Sequence, residues 1–169
     1  MYYDTIRQFA FTLKNLDALL TKAEASATAR GFDVNNFLAA RLNPDMLPFT
    51  RQIQIACDVA KSATGSLAGK DIPRHEDYEV TFAELHTRIQ KVIDYLGTFR
   101  PEDFAAVGEQ TRVKVNYPPG KAMEAGTFLR GRAIPNFYFH VTTAYGLLRA
   151  GGVPIGKGDF LGDLSLYDA

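Results

Sequence analysis

In four separate stretches of this chain an apolar residue returns at every third or fourth position, a period that permits little except α-helices packed on one another. Tyr2, Ile6, Phe9, Leu13, Leu16 and Leu20 line one face of a first helix, expected from about residue 2 toward Ala29 and closed by Gly31. A second helix is expected from Met46 to about Ala68. Phe49, Ile53, Cys57 and Ala60 face inward, and Asp45 in Asn43-Pro44-Asp45 is placed to accept from its first free amides. Thr81-Phe82-Ala83-Glu84 has the form of a capping box and opens a third helix, whose stripe Phe82, Leu85, Ile89, Val92, Ile93, Leu96 stops at Gly97. The fourth starts at Pro135, turns Phe137, His140, Val141, Ala144, Leu147 and Leu148 to one side, and ends at Gly151-Gly152.

The segments between the helices carry other signals. Residues 32 to 45 read as a crossing with a short helical turn at Asn35 to Arg41. From Arg112 the period falls to two, with Val113, Val115 and Tyr117 alternating against Arg112, Lys114 and Asn116. Pro118-Pro119-Gly120 supplies a turn before Ala122 to Leu129. The expected architecture is an all-α, up-down four-helix bundle with a small β-hairpin before the last helix, one domain over residues 1–169. After Gly152, the residues Val153, Ile155, Phe160, Leu161, Leu164, Leu166 and Tyr167 are too apolar for a solvated end, so the tail is expected to pack on the bundle or on a second subunit.

Charge narrows the range of partners. Nineteen basic residues balance nineteen acidic ones, so no excess draws the chain to nucleic acid or to an anionic membrane surface. No apolar run is long enough to span a bilayer, and the N-terminus lacks a basic segment followed by an apolar one. The only cysteine, Cys57, has no internal disulfide partner, and a cytoplasmic setting is expected.

Few residues carry chemistry. His140 places an imidazole on the apolar face of the last helix. There it acts as a buried, hydrogen-bonded side chain, as a ligand contact, or as a general base. Gln52 falls at the core edge of the second helix and is a candidate pocket amide. Arg51, Gln54 and Asp58 share an adjoining face, read as an ordinary outer surface or as a polar pocket lining. Tyr138 and Tyr145 lie seven apart on one side, with hydroxyls suited to a ligand or a dimer mate. His75 and His86 read as solvated, and Cys57 as a small core residue. Gly151 to Gly158 approaches a phosphate-binding loop. It fails because Gly158 stands where Ser or Thr is required and a helix precedes it in place of a strand.

His140-Val141-Thr142-Thr143-Ala144-Tyr145-Gly146-Leu147-Leu148-Arg149 resembles the last-helix motif of the DinB/YfiT-like superfamily of metalloenzymes, and nearly the whole chain resembles a branch of it known only as a domain of unknown function. The resemblance implies a four-helix bundle, frequently a homodimer. In many relatives it also implies nickel or zinc held by three histidines, and in some hydrolase or transferase activity. His140 stands at the first position of the histidine pair, but Ala144 occupies the second, and Gln52 or Gln54 stands where the second helix supplies the third. His140, with Asp45 or Asp58 if either comes near, is the remaining candidate metal ligand set. The expected function is small-ligand binding near His140, with Gln52, Asp58, Tyr138 and Tyr145 as candidate lining. The alternatives are a metal-dependent enzyme with altered ligands and a structural or dimerisation module.

Overall fold

The computed structural model describes residues 1–115 and 118–165. Helix α1 spans Tyr2–Arg30, and Gly31 ends it at φ 72°, a left-handed geometry that costs a side-chain-bearing residue more than glycine. A 3₁₀ turn, Val34–Phe37, follows, with the Asp33 carboxylate accepting the Asn35 N–H at 2.9 Å.

Helix α2 covers Phe49–Ala68, beginning three residues later than the sequence pattern predicts. Pro48 is the cause. It caps the helix in an extended conformation, and a proline pushes the residue before it out of helical space, so Met46 and Leu47 stay outside. Asp45 lies exposed in the connection and caps nothing. Helix α3, Phe82–Gly97, starts as expected. Thr81 Oγ1 accepts the Glu84 N–H at 3.2 Å, and Glu84 reaches back to accept the Val80 N–H at 2.8 Å.

Strands β1 (Arg112–Val115) and β2 (Lys121–Glu124) pair antiparallel, with Arg112 opposite Glu124 and Val115 opposite Lys121. Val113 and Val115 turn into the core as the alternation predicts; Asn116 and Tyr117 lie outside the described residues. The expected hairpin is present, but its second arm ends at Glu124 and the rest of the Ala122 to Leu129 stretch is helical.

Helix α4 is longer than expected. It is built of three pieces, Ala125–Phe128, a π-helical turn Leu129–Ala133, and Ile134–Ala150, with helical backbone at both joints. Pro135 therefore sits inside the helix instead of at its start. A proline has no N–H to give the preceding turn and its ring crowds the carbonyl there, and the wider π turn directly before it relieves both.

The chain then crosses back. Val153 and Ile155 are buried, and the short helix α5, Lys157–Leu161, lies on α1, where Asn15 Nδ2 donates to the Phe160 carbonyl at 3.2 Å and Lys22 pairs with Asp159. The tail thus packs on the bundle through Val153, Ile155 and Phe160, whereas Leu161 and Leu164 stay exposed against expectation; Leu166 and Tyr167 are outside the described residues.

The bundle closes through α2 on α4, α2 on α3 and α1 on α3. Phe9 meets Phe137 at 4.4 Å between ring centroids, and Phe49 stacks on Phe82 at 5.6 Å. Small residues on α2 let neighbours approach closely. A methyl group at Gly65 would collide with Ile72 and Tyr95. Cys57 is sealed in this core, and burial pushes its thiol up to about 12, so it is inert at neutral pH. Among the described residues no helix is long and apolar enough to cross a membrane.

His86 is not solvated. Its Nδ1 lies 2.6 Å from Asp17 Oδ1 and its Nε2 3.4 Å from Glu24 Oε2, so α3 is tied to two carboxylates of α1. The Asp17 hydrogen bond, with help from the Glu24 charge, raises the imidazole above its ordinary 6.5. The folded state therefore favours the protonated ring, and this stabilisation is complete below pH 6.5 and fades as pH rises through the elevated value. His86→Gln, which keeps a hydrogen bond but no charge, is expected to lose most stability below pH 6.5 and to converge on wild type above the elevated value, as read by urea unfolding across pH.

Candidate functional site

The packing of α2 on α4 brings Gln52 to His140. Gln52 Oε1 lies 2.7 Å from His140 Nδ1, and Gln52 Nε2 donates to the Leu47 carbonyl at 2.8 Å. With the amide nitrogen committed to Leu47, its oxygen faces the ring, so Nδ1 carries the proton and Nε2 the lone pair. Gln52 is 1% exposed and His140 8%. Burial lowers the pKa of the imidazole, and the nearby Arg51 charge adds to this, so the ring is neutral at pH 7. Phe139 stands edge-on to it at 5.2 Å and is itself exposed.

The other candidate residues stand elsewhere. Tyr138 offers its hydroxyl to Thr12 Oγ1 at 3.5 Å, and Tyr145 packs edge-on to Phe160 at 5.7 Å. Asp58 accepts from Arg88 Nη2 at 2.8 Å and from Lys61 at 2.9 Å, and Asp45 remains exposed in its loop.

The donor chemistry does not fit zinc or nickel. His140 contributes one ring nitrogen, Gln52 a neutral amide already bonded at both ends, and Ala144, one turn on, contributes nothing. Among the described residues no three His, Cys, Asp or Glu side chains converge. Those metals need several nitrogen, thiolate or carboxylate donors, and this pair supplies too few.

A second polar centre lies between α2, α3 and the linker before α3. Arg88, 2% exposed, donates through Nη1 to Glu79 Oε1 at 2.9 Å and to the Glu76 carbonyl at 3.0 Å, and through Nη2 to Asp58 and to Asp77 at 3.0 Å. Gln54 Nε2 donates to the other Glu79 oxygen at 2.7 Å, and Arg51 donates to Gln54 Oε1 at 2.7 Å and pairs with Asp77. The face of Arg51, Gln54 and Asp58 is thus part of an ion network that clamps the linker, buried at Gln54, Glu79 and Arg88 and partly exposed at Arg51, Asp58 and Asp77. His75, expected to be solvated, is half-buried beside it, with Nδ1 sealed from solvent, and burial holds its pKa below the ordinary value. Arg88 had a signal in the sequence: it falls inside the apolar stripe, three residues after Leu85 and four before Val92, where a lone charge requires partners. Its partner Glu79 lies in an irregular segment and had none.

Two clefts flank α2. One, of about 170 Å³, opens between α2, β1 and the π turn of α4. Val59, Ala63, Val115, Phe128 and Ala133 make its apolar floor, and Asp58, Lys114, Arg132 and Asn136 are among its polar groups. The other, of about 390 Å³, is shallower and runs past Lys61, Pro73 and His75; Asp58 and Ser62 line both. Of the predicted lining residues, Asp58 alone reaches these clefts, while Asn136 stands one helical turn before His140.

Gln52→Leu leaves the His140 Nδ1–H and the Leu47 carbonyl without partners, and is expected to cost about 1–3 kcal/mol in urea unfolding. Adding His140→Phe, so that both polar ends are apolar, is expected to recover part of that loss, a coupling that a double-mutant cycle measures.

Comparison with known proteins places this geometry. No curated protein matches the chain. The crystal structure of a DinB family member protein from Shewanella denitrificans is 42% identical, superposes with a TM-score of 0.93, and aligns over 99% of this chain and 95% of that one. Residues 1–161 match the family described as a domain of unknown function, DUF1993. That match runs from the first helix through the end of α5, and so takes in the helix bearing His140, the amide that faces it and both clefts. The chain therefore belongs to the DUF1993 family, a DinB-like branch of unknown function.

Proposed function

We propose that this protein binds a small organic molecule in the cleft between α2, β1 and the π turn, and that the Gln52–His140 pair is a structural pin beneath it in place of a metal centre. The observation that carries this reading is the cleft itself. Its lining joins an apolar floor to a few polar groups, the combination that small-molecule sites share. The shallower cleft past His75 lacks such a floor. The neutral imidazole, fixed by Gln52, holds α4 against α2 one turn from the cleft wall and keeps that wall in register.

In ¹⁵N-labelled protein screened against mixtures of small organic compounds, amide shift changes are expected to gather at Val59, Ala63, Val115 and Phe128. Ser66→Phe, which fills the cleft from a half-buried position, is expected to abolish them. Changes that arise elsewhere, or that survive the substitution, sink the reading.

A separate observation favours a second role for the neighbouring surface. Phe139 is 56% exposed, Leu47 stands exposed where its carbonyl meets Gln52, and Leu42 stands exposed near Gly146 of the same helix as Phe139. Three large apolar side chains along α4 and the connection favour contact between two copies, and a formal net charge of zero adds no long-range repulsion. Light scattering is expected to give a homodimer for wild type and a monomer for Phe139→Asp; a wild-type monomer at every concentration removes this role.

A further inference from the structure

We infer that the ligand of the α2–β1–π-turn cleft is a small organic carboxylate with a short apolar body, its carboxylate held by Arg132 and Lys114. This rests on the cleft being the ligand seat. Arg130 and Arg132, two apart in the π turn, have different fates. Arg130 forms a two-pronged pair with Glu109, at 3.0 and 2.6 Å, on the outer side. Arg132 lines the cleft and, like Lys114 on β1, has no ion pair or side-chain hydrogen bond among the described residues.

Residues two apart on a helix point to nearly opposite sides, so one arginine meets Glu109 and the other the cleft, and both sit in the π turn. Such turns inside α-helices recur at functional sites. The remaining charge on the wall, Asp58, is already neutralised by Arg88 and Lys61. Among the described residues, two cations without partners therefore line a cleft whose one carboxylate is spent, and the surplus is positive. A planar guanidinium matches a planar carboxylate through two parallel hydrogen bonds, a fit that an ammonium alone does not offer. Phe128 and Val115 line the same cleft, so a ligand anchored at Arg132 has an apolar surface for an aryl or short alkyl body. A purely inorganic anion would leave this floor unused.

The test is a titration of ¹⁵N-labelled full-length protein with benzoate, hexanoate, benzamide and inorganic phosphate. Benzoate and hexanoate are expected to shift the amides around Val115 and Phe128 and to bind about tenfold more tightly than benzamide, with the advantage shrinking as salt rises. Arg132→Gln is expected to bring benzoate down to the level of benzamide with the melting temperature unchanged. Lys114→Gln, on β1, is expected to give a smaller loss in the same direction. Equal binding of benzoate and benzamide in the cleft would overturn the charge assignment while leaving the seat intact. Phosphate matching benzoate would overturn the apolar part. Absence of any shift in the cleft with all four probes would overturn the seat and this assignment with it.

Discussion

One contact between α2 and α4 organises the molecule around it. Two helices packed through apolar stripes can slide by a turn at little cost, but a buried imidazole and a buried amide cannot, because each needs the other in place. Gln52 and His140 meet at 2.7 Å, and the far end of the amide is anchored to the Leu47 carbonyl just before Pro48 starts the helix. The bond therefore ties three things together: the register of α2 on α4, the path of the connection into α2, and the tautomer of the ring.

A second constraint of the same kind works on the other side of α2. Arg88 on α3 would be costly to bury alone, and it recruits Glu79, Asp58 and Asp77 around its guanidinium. These partners lie on α2 and in the irregular linker, so the charge orders a segment that has no helix or strand of its own. With α2 held through Gln52 on one side and Asp58 on the other, its outer edge is rigid, and the clefts lie along that edge. Uncommitted polar groups are thus presented by fixed elements, the arrangement a binding site requires.

The relation to DinB-like bundles takes on a physical meaning in this light. In this chain a hydrogen bond between Gln52 and His140 cross-links α2 and α4, and the pair offers a metal too few donors. The π turn marks the place where α4 departs from ideal geometry.

Much of this was legible in the residues alone. The helical period of Tyr2 to Leu20 and of Phe82 to Leu96, the Thr81 and Glu84 cap, the alternation at Val113 and Val115 and the inward face of His140 all follow from local spacing, which backbone geometry converts directly into a face or a turn. Arg88 inside its stripe was legible too, as a charge in need of partners, though not which ones. The late start of α2 depended on Pro48 overriding an otherwise helical pattern, and the embedding of Pro135 depended on a wider turn that periodicity does not encode. What only the tertiary structure decided is the meeting of groups far apart in the chain: Gln52 with His140, Arg88 with Glu79, Lys114 and Arg132 on the lining of one cleft. Spacing along a helix assigns each side chain a direction, but the partner it meets is set by how the helices pack, and a hydrogen bond or ion pair forms only at the distance that packing allows.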